Sequence, residues 1–397
     1  MRVLLSTWGS RGDVEPMVGL AVALRSLGAQ VRVCAPPDGE FVDRLAGVGV
    51  PMVPVGGSVR ELTIGVRPSP EELPRRAAEV VAAQYEAVVA LADGWDAVVA
   101  TGPVPATAAA RSAAEKLGIR YRCAAFQSIT LPSPHHPPLA YRGRPLPPEV
   151  TDNQALWDQD AQTVTTLFGA ALNNHRASVG LPPVANVRDY ALAGDPLLAT
   201  DPLLDPWQEI PDLAVTQTGA WIPPDDRPLP PEVQAFLDAG EPPVYVGFGS
   251  MPLANDMARI AIDAIRAQGR RVLLGRGWAD LRLTDTAPDC LAVGEVNQQA
   301  LFPQVATVVH HGGAGTTTTA TRAGVPQVVV PQQTDQPYWA GRVAALGIGV
   351  AHNGPTPTVD SLSTALAQAT SLHSRASEVA TMISPTGATA AAELLLT

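Results

Sequence analysis

Residues 310–318 combine residue types that bind phosphate. They read His-His-Gly-Gly-Ala-Gly-Thr-Thr-Thr and follow an apolar pair, Val308 and Val309, just before a helical pattern. Small residues leave backbone N–H groups accessible, and a helix N-terminus carries partial positive charge, so this segment suits a diphosphate. His311 and Thr316 add side-chain donors. The same glycines would also permit a tight turn from strand to helix, and residue types alone leave both interpretations open.

Other phosphate sites and metal sites do not fit this chain. The segment lacks the Gly-Lys-Ser/Thr ending of a P-loop, and Lys116 is the only lysine in the sequence. Adjacent histidines lack the i,i+4 spacing of zinc-binding helices. The single Asp-x-Asp sequence, Asp158-Gln159-Asp160, lies in a helix-like stretch, where residues two apart point in different directions. We therefore expect no metal ion, so protein donors must neutralise a leaving diphosphate.

Two polar residues follow another apolar segment in the same half of the chain. Asp335 and Gln336 lie just after the strand-like residues 327–330. Ligands of doubly wound sheets gather at the carboxyl ends of the strands, where these side chains could bind sugar hydroxyls. Asp335 also precedes Pro337 and a helical pattern, which is a usual place for a helix N-cap. Spacing does not separate the two roles.

A third candidate lies in the first loop. Residues 9–16 read Gly-Ser-Arg-Gly-Asp-Val-Glu-Pro, and Asp13 stands where the first helical pattern begins. A carboxylate in this loop could remove a proton from a nucleophile. It could equally cap the helix, and the sequence alone allows either role.

Length and charge restrict the class of protein. A chain of 397 residues exceeds what one hydrophobic core usually supports, so we expect two domains. The net charge of −11 argues against a nucleic-acid partner, which would need a basic surface. The sequence contains neither a signal-peptide core nor an apolar run of about 20 residues. We therefore expect a cytoplasmic monomer without a transmembrane segment.

Apolar strand patterns alternate with amphipathic helix patterns through both halves, which is typical of α/β domains with parallel sheets. The two halves begin alike, because residues 3–10 and 244–250 are both strand patterns that run into a Gly-Ser loop. We predict two Rossmann-like, doubly wound α/β domains that face each other across a cleft. The predicted divisions are a first domain, a linker, a second domain and a C-terminal helix that packs back toward the first domain, at 1–205, 206–231, 232–380 and 381–397.

The patterns also predict individual elements. The main predicted helices are 16–27, 41–46, 70–92, 104–117, 256–267, 315–323 and 338–346. A Pro-rich segment, residues 131–148, interrupts the series, and loops of that length inside α/β domains are usually functional. We interpret it as a binding or lid segment in which His135 and His136 are candidates for contact with an acceptor. The alternative is that they are ordinary exposed loop histidines.

These segments together resemble a known family. The resemblance is to the bacterial antibiotic glycosyltransferases, most closely those that modify vancomycin-group glycopeptide aglycones, and it spans the whole chain. The segments that carry it occur in the family's order: 9–16, 244–250, Arg276-Gly277-Trp278-Ala279-Asp280-Leu281, Gly294-Glu295-Val296-Asn297, 310–316 and Asp335-Gln336. Such a series is far more specific than any one of its members.

The resemblance implies a fold, a reaction and a set of site residues. It implies an inverting enzyme of the GT-B fold, with the acceptor in the N-terminal domain, a dTDP- or UDP-sugar in the C-terminal domain and no cofactor. Asp13 would be the general base, Asp335 and Gln336 would contact the donor sugar, and Val296 would lie against the nucleobase. Trp278 would lie near the nucleotide, although a core tryptophan is the alternative. The residues that would surround the diphosphate are Ser10, Gly249, Ser250, His311, Gly312, Gly313 and Thr316.

Two other functions are compatible with this architecture. A nucleotide-sugar epimerase would need acid and base groups on both sides of the sugar and no acceptor pocket, and the long segment 131–148 favours an acceptor. A non-catalytic protein that binds sugar nucleotides would not need Asp13 with its complete neighbourhood. Turnover of a donor sugar with a peptide-derived aglycone as acceptor would separate the three hypotheses.

Overall fold

A computed structural model of the chain describes residues 1–64, 72–91, 94–140, 145–253 and 256–397. These residues form two compact units. The N-terminal unit comprises Met1–Pro202, Pro206–Pro223 and Pro385–Thr397, and the C-terminal unit comprises Leu203–Asp205 and Pro224–Ser384. None of the helices in the described ranges is both long and apolar enough to span a membrane.

The N-terminal unit contains a seven-stranded sheet in the order β3-β2-β1-β4-β5-β6-β7. Every neighbouring pair of strands is parallel. The central strands are buried on both faces, which explains why they read as continuous apolar runs. The strands are β1 (Arg2–Thr7), β2 (Gln30–Ala35), β3 (Met52–Pro54), β4 (Ala97–Thr101), β5 (Arg120–Ala125), β6 (Leu197–Leu198) and β7 (Thr216–Gln217).

Helices cover this sheet, and their apolar faces form its core together with the strands. One large cluster of buried residues joins Leu4 and Val98 of the sheet to Val81, Ala109 and Val164 of three helices. The helices of the unit are α1 (Arg11–Ser26), α2 (Gly39–Gly47), α3 (Val59–Ile64), α4 (Leu73–Leu91), α5 (Val104–Leu117), α6 (Asn153–Ser178), α7 (Val187–Leu192) and, at the end of the chain, α15 (Gly387–Leu396). The ends of the predicted helix 70–92 and positions 141–144 of the predicted loop 131–148 lie outside the described residues.

The C-terminal unit contains a six-stranded parallel sheet in the order β10-β9-β8-β11-β12-β13. Its strands are β8 (Val244–Gly247), β9 (Val272–Gly275), β10 (Cys290–Val293), β11 (Thr307–His310), β12 (Gln327–Val329) and β13 (Gly349–Ala351). Its helices are α8 (Pro231–Asp238), α9 (Met257–Arg266), α10 (Gln298–Leu301), α11 (Ala314–Arg322), α12 (Gln336–Ala345), α13 (Val359–Thr370) and α14 (His373–Ala380).

Both sheets have the same topology. In each, the first strand lies between the second and the fourth, so the strand order reverses between β1 and β4 and again between β8 and β11. Such a reversal leaves a crevice at the carboxyl ends of the two strands, where ligands of open α/β sheets bind. The prediction of two doubly wound α/β domains is therefore confirmed. Residues 9–16 follow β1, and residues 248–250 and 311–313 follow β8 and β11.

The boundaries of the units differ from the predicted ones. Residues 206–223, predicted as linker, belong to the N-terminal unit and supply strand β7, whereas 224–231 belong to the C-terminal unit. Helix α15 belongs to the N-terminal unit, where it packs against α1. Gly387 approaches the backbone of Gly219 so closely that a Cβ atom on it would lie 2.5 Å from the Gly219 carbonyl oxygen.

Candidate functional site

His311 lies at the reversal point of the second sheet. Its ring is held between two glycines, Gly249 after β8 and Gly313 after β11. A Cβ atom at Gly313 would lie 2.6 Å from His311 Nε2, and one at Gly249 would lie 3.3 Å from its Cε1. Gly249 also has a positive φ of 55°, which an L side chain rarely adopts. These three predicted site residues therefore meet, and both glycines are required for the ring to lie where it does.

The His311 side chain is neutral and has unused hydrogen-bonding capacity. Burial lowers its pKa to about 4, so it carries no charge at neutral pH. Its Nδ1 atom is buried and has no hydrogen-bond partner among the described residues. Because an unsatisfied buried nitrogen costs free energy, such an atom in a native structure points to a missing partner. The Nε2 edge of the same ring faces Gly313, the N-cap residue of α11.

Helix α11 begins immediately after this loop, with Gly313 as its N-cap residue. The first N–H groups of a helix lack intrahelical acceptors, so those of Ala314, Gly315 and Thr316 are available to an anion. The hydroxyls of the next three threonines are engaged, since Thr317, Thr318 and Thr319 each donate to the carbonyl four residues earlier. The Thr316 hydroxyl has no such bond among those observed, so it remains a candidate donor.

The backbone N–H of Gly312 makes a hydrogen bond inside the protein. Its N–H donates to Nδ1 of the buried His310 at 3.1 Å, so this amide is not free to bind a diphosphate. A Cβ atom on Gly312 would lie 2.8 Å from Val329 Cγ1 and 3.1 Å from the Gln336 carbonyl oxygen, and its φ is 92°. Gly312 thus allows the close approach of strand and loop, and its predicted contact with the diphosphate stays a prediction.

The loops after β8 and β9 are joined through their backbones. The Trp278 N–H donates to the Gly249 carbonyl at 2.9 Å, and Gly277 packs against the same carbonyl. The Trp278 side chain is buried, as is that of Ser250. Val296 is buried in the core cluster of α8, β10 and α10. The burial of Trp278 agrees with the core role considered for it, and the contacts of Trp278 and Val296 with the nucleotide stay predictions.

Asp335 and Gln336 both make structural contacts at the start of α12. Asp335 is the N-cap residue, and its carboxylate accepts hydrogen bonds from the Thr334 hydroxyl at 2.9 Å and the Trp339 indole at 3.0 Å. Burial raises its pKa above the ordinary value. The Gln336 side chain is buried and accepts the N–H groups of Gln332 and Gln333. Asp335 retains lone pairs for a ligand, whereas the Gln336 carboxamide oxygen is already bound within the protein.

Asp13 lies in the first turn of α1, where its carboxylate accepts the N–H of Ser10 at 3.0 Å. This is one half of a capping box, so the capping role is observed. The side chain lies over Gly9, where a Cβ atom would be 2.9 Å from Asp13 Cβ and closer still to the carboxylate. The carboxylate is partly exposed. Capping and proton transfer are therefore compatible at this position.

The two histidines predicted for acceptor contact have different environments. His135 is exposed. His136 packs edge-on against Trp157 of α6, with ring centroids 5.8 Å apart, and its carbonyl accepts the Trp157 indole N–H. It therefore anchors the described part of segment 131–148 to a helix. In the Asp-x-Asp sequence, Asp158 accepts a hydrogen bond from Gln154 and Asp160 pairs with Arg188 at 3.4 Å, so the two carboxylates have separate partners.

Sequence reasoning assigned no role to the buried residues beneath the loop 311–316. His310, Gln327 and Thr321 are buried and connected by hydrogen bonds. A signal was present, because His310 and Gln327 are polar residues directly beside the apolar pairs Val308-Val309 and Val328-Val329. Polar side chains in fully buried strands need partners, and their partners lie on elements that are distant in sequence.

Two family models match the chain. The glycosyltransferase family 28 N-terminal domain matches residues 3–133. The C-terminal domain described as erythromycin biosynthesis protein CIII-like matches residues 277–389. The first covers the Asp13 loop, and the second covers the loops of Trp278, His311 and Asp335.

Relatives from Amycolatopsis orientalis match over nearly the full length. The chain is 55% identical to glycosyltransferase GtfE and 54% identical to vancomycin aglycone glucosyltransferase, with 100% of this chain and 97% of each relative covered. It is 53% identical to dTDP-epi-vancosaminyltransferase, with 96% of this chain and 93% of the relative covered.

Solved glycosyltransferase structures share the fold. The glycosyltransferase of kitacinnamycin matches with a TM-score of 0.71 at 20% identity, covering 99% of this chain and 97% of its own. VinC, solved in complex with dTDP, matches with a TM-score of 0.66 at 23% identity. The match covers 100% of this chain and 98% of the VinC chain. These likenesses confirm the GT-B fold.

Proposed function

Because the chain belongs to the glycosyltransferase family of these Amycolatopsis orientalis enzymes, we propose that it transfers a sugar from a dTDP- or UDP-sugar to a hydroxyl of a glycopeptide aglycone or pseudoaglycone. It is a glycosyltransferase. The acceptor class is supported by the 54% identity to vancomycin aglycone glucosyltransferase over the whole chain. The nucleotide class is supported by the dTDP named for two of the proteins that it resembles.

The donor diphosphate binds at the N-terminus of α11. The observation that carries this assignment is the neutral His311, whose ring faces the N-cap residue Gly313 with its Nε2 atom and whose buried Nδ1 has no partner among the described residues. A neutral imidazole and backbone amides stabilise a dianionic leaving group by hydrogen bonds and the helix dipole, without a metal ion. The Thr316 hydroxyl adds a further donor. Gly249 and Gly313 serve this site by leaving room for the imidazole ring.

Transfer proceeds by a single displacement with inversion. The acceptor hydroxyl attacks the anomeric carbon from the face opposite the diphosphate, and positive charge develops on the sugar ring as the bond to the diphosphate breaks. Asp13 accepts the hydroxyl proton as the new bond forms. A phenolic hydroxyl, with an ordinary pKa of about 10, needs less help from a base than an aliphatic one. Asp335 contacts the donor sugar through the lone pairs that Thr334 and Trp339 leave free.

Product analysis tests the proposed reaction. The enzyme should convert a dTDP- or UDP-sugar and a vancomycin-type aglycone into a product whose mass equals aglycone plus sugar minus water, without added Mg²⁺ and in the presence of EDTA. Mass spectrometry identifies the product, and the anomeric proton coupling in its NMR spectrum reports inversion. A donor that is epimerised without an acceptor would support the epimerase instead. Binding of donor without any turnover across the panel would support a non-catalytic protein.

Replacing His311 with Ala should weaken dTDP and UDP binding by roughly 10- to 100-fold, because a hydrogen bond to a charged group contributes about 1.5–3 kcal/mol. Isothermal calorimetry in EDTA measures the change. The control is His373→Ala, at an exposed histidine that begins α14 of the same unit. Unchanged diphosphate affinity in His311→Ala, or a strict requirement for a metal ion, would contradict the assignment of the donor site.

A further inference from the structure

A continuous chain of hydrogen bonds lies beneath the diphosphate loop. The Gly312 N–H donates to His310 Nδ1 at 3.1 Å, and His310 Nε2 bonds to Gln327 Oε1 at 2.9 Å. Gln327 Nε2 then donates to the Thr321 hydroxyl at 3.0 Å, which donates to the Thr317 carbonyl at 2.8 Å. The four side chains of the series, including that of Thr317, are at most 1% exposed. We call this series the buried relay.

The direction of every bond in the buried relay is fixed by its first member. A backbone N–H can only donate, so Nδ1 of His310 must accept and the ring proton must reside on Nε2. Gln327 must then present its carboxamide oxygen to the ring and its amino group to Thr321. Burial lowers the pKa of His310 to about 3, so the single neutral tautomer persists at neutral pH.

The buried relay begins and ends on the diphosphate loop. At its far end Thr317 donates its N–H and its hydroxyl to the Gly313 carbonyl, at 2.9 Å and 3.0 Å. The relay therefore holds the loop at two successive residues, Gly312 and Gly313, through strands β11 and β12 and helix α11. His311 directly precedes Gly312 in the sequence, and its ring packs against Gly313.

From this geometry we propose that His310, with Gln327 and Thr321 behind it, is a positioning residue for the donor diphosphate. This inference rests on the donor site proposed above. The relay turns the Gly312 amide inward and so sets the direction in which the chain enters α11. The helix N-terminus and His311 are thereby aligned on the diphosphate. None of the three side chains touches the donor, and Thr321 lies seven residues, or about 10 Å of helix, beyond Ala314.

Stability alone does not account for the buried relay. Apolar residues of similar shape would fill the same space in the core without the cost of burying polar groups, and such replacements are often neutral or stabilising. Satisfied polar networks, in contrast, specify one geometry. A role in positioning therefore predicts a change in diphosphate affinity that the change in stability does not explain.

Thr321→Val tests the relay at its most distant side chain. Valine keeps the shape but removes the hydroxyl, so the Gln327 amino group loses its acceptor and the carboxamide no longer holds the His310 ring in one orientation. We expect inorganic pyrophosphate and dTDP to bind about tenfold more weakly. Thr321→Ser restores the hydroxyl and should bind within about twofold of wild type. Thr319→Val is the matched control, because the Thr319 hydroxyl donates to the Gly315 carbonyl of the same helix and to no other group in the part of the chain that the structure describes.

His310→Gln and His310→Asn separate the two hydrogen-bonding functions of the ring, the acceptor at Nδ1 and the donor at Nε2. Asn places an acceptor near the position of Nδ1 and can retain the Gly312 bond, whereas Gln places a donor near Nε2 and loses it. Diphosphate affinity should therefore fall more in His310→Gln than in His310→Asn. In the wild type, nitrogen-15 NMR of His310 should show one neutral tautomer with the proton on Nε2, as the bond from the Gly312 N–H requires.

Thermal unfolding is measured for every variant, and affinities are compared where all are folded. Equal affinities for Thr321→Val and Thr319→Val, with His311→Ala still weakened, would overturn the buried relay but leave the donor site standing. An unaltered affinity in His311→Ala would instead refute the donor site itself. If Thr321→Val does not fold, the pair of His310 variants decides: a larger loss in His310→Asn than in His310→Gln refutes the proposal.

Discussion

Replacing Asp13 with Asn should lower the rate of sugar transfer by roughly 10² to 10⁴, the usual contribution of a general base. Donor binding should persist, because His311 and the start of α11, the proposed diphosphate site, belong to the C-terminal unit. A phenolic acceptor should show a smaller loss than an aliphatic one, since water removes a phenolic proton more readily. Initial rates of product formation, measured at saturating donor, give the comparison.

The choice of Asn separates catalysis from capping. In the structure Asp13 accepts the Ser10 N–H, and the side-chain oxygen of Asn can accept the same bond. The free energy of unfolding should therefore change little, although loss of a cap usually costs about 1 kcal/mol. Alanine at this position would remove both functions at once and could not distinguish them.

Glu15→Gln is the matched control for this experiment. Glu15 lies two residues further along α1 and pairs with Arg44 at 3.1 Å, so it is a carboxylate of the same helix with a structural partner. The Glu15→Gln variant should transfer sugar at a rate within a fewfold of the wild-type rate. If Asp13→Asn keeps the full rate of turnover, Asp13 only caps the helix. The general base would then be sought among the carboxylates near Asp335.

Much of the fold was predictable because buried parallel strands leave a simple pattern. Strands β1, β4 and β8 read as continuous apolar runs, and the helices between them have one apolar face. The predicted helices 104–117 and 256–267 match α5 and α9 within one residue at each end. The phosphate loop was equally visible, because its glycines, histidines and threonines are contiguous in the sequence.

The sequence did not reveal the elements that depend on tertiary contacts. Strands β6 and β7 have two residues each, which is too short for any periodicity, and they pair only because β5 supplies an edge. The 26-residue helix α6 was not assigned as a whole. Its polar and apolar residues alternate irregularly, since only a few side chains, such as Leu156 and Val164, are buried.

Within the candidate site, sequence reasoning identified the residue types but not the direction of their hydrogen bonds. Gly312 and Gln336 were assigned to the donor because they lie in the correct loops. Their donors and acceptors are bound inside the protein, by His310 and by the backbone of residues 332–333. A motif shows that a loop approaches a ligand, whereas only coordinates show which groups of the loop remain free.

Gly9→Ala should lower the rate of transfer by on the order of 10² without altering any charged group, because a displacement of about 1 Å in a catalytic group can cost that much. A Cβ atom at position 9 would lie 2.9 Å from Asp13 Cβ and closer still to the carboxylate, so the Asp13 side chain must swing away. The Ser10 bond is lost with it, and the free energy of unfolding should fall by about 1 kcal/mol.

Gly12→Ala changes a glycine in the same turn and, unlike Gly9→Ala, should not lower the rate of transfer. A Cβ atom at Gly12 meets nothing nearer than Ser10 Oγ at 4.0 Å, and alanine is favoured over glycine in a helix by about 1 kcal/mol. This variant should be slightly more stable and fully active. The two substitutions are chemically identical, so a difference between their rates reflects the position of the Asp13 carboxylate.

The double variant Gly9→Ala/Asp13→Asn determines whether the glycine acts through Asp13. If its only function is to leave room for the carboxylate, then adding Gly9→Ala to Asp13→Asn should produce no further loss of rate, because residues that act as a unit are not additive. A second loss, multiplied onto the first, would mean that Gly9 contributes to transfer independently. In that case the loop after β1 would contact the substrates through its backbone, and the carboxylate would account for only part of the catalysis.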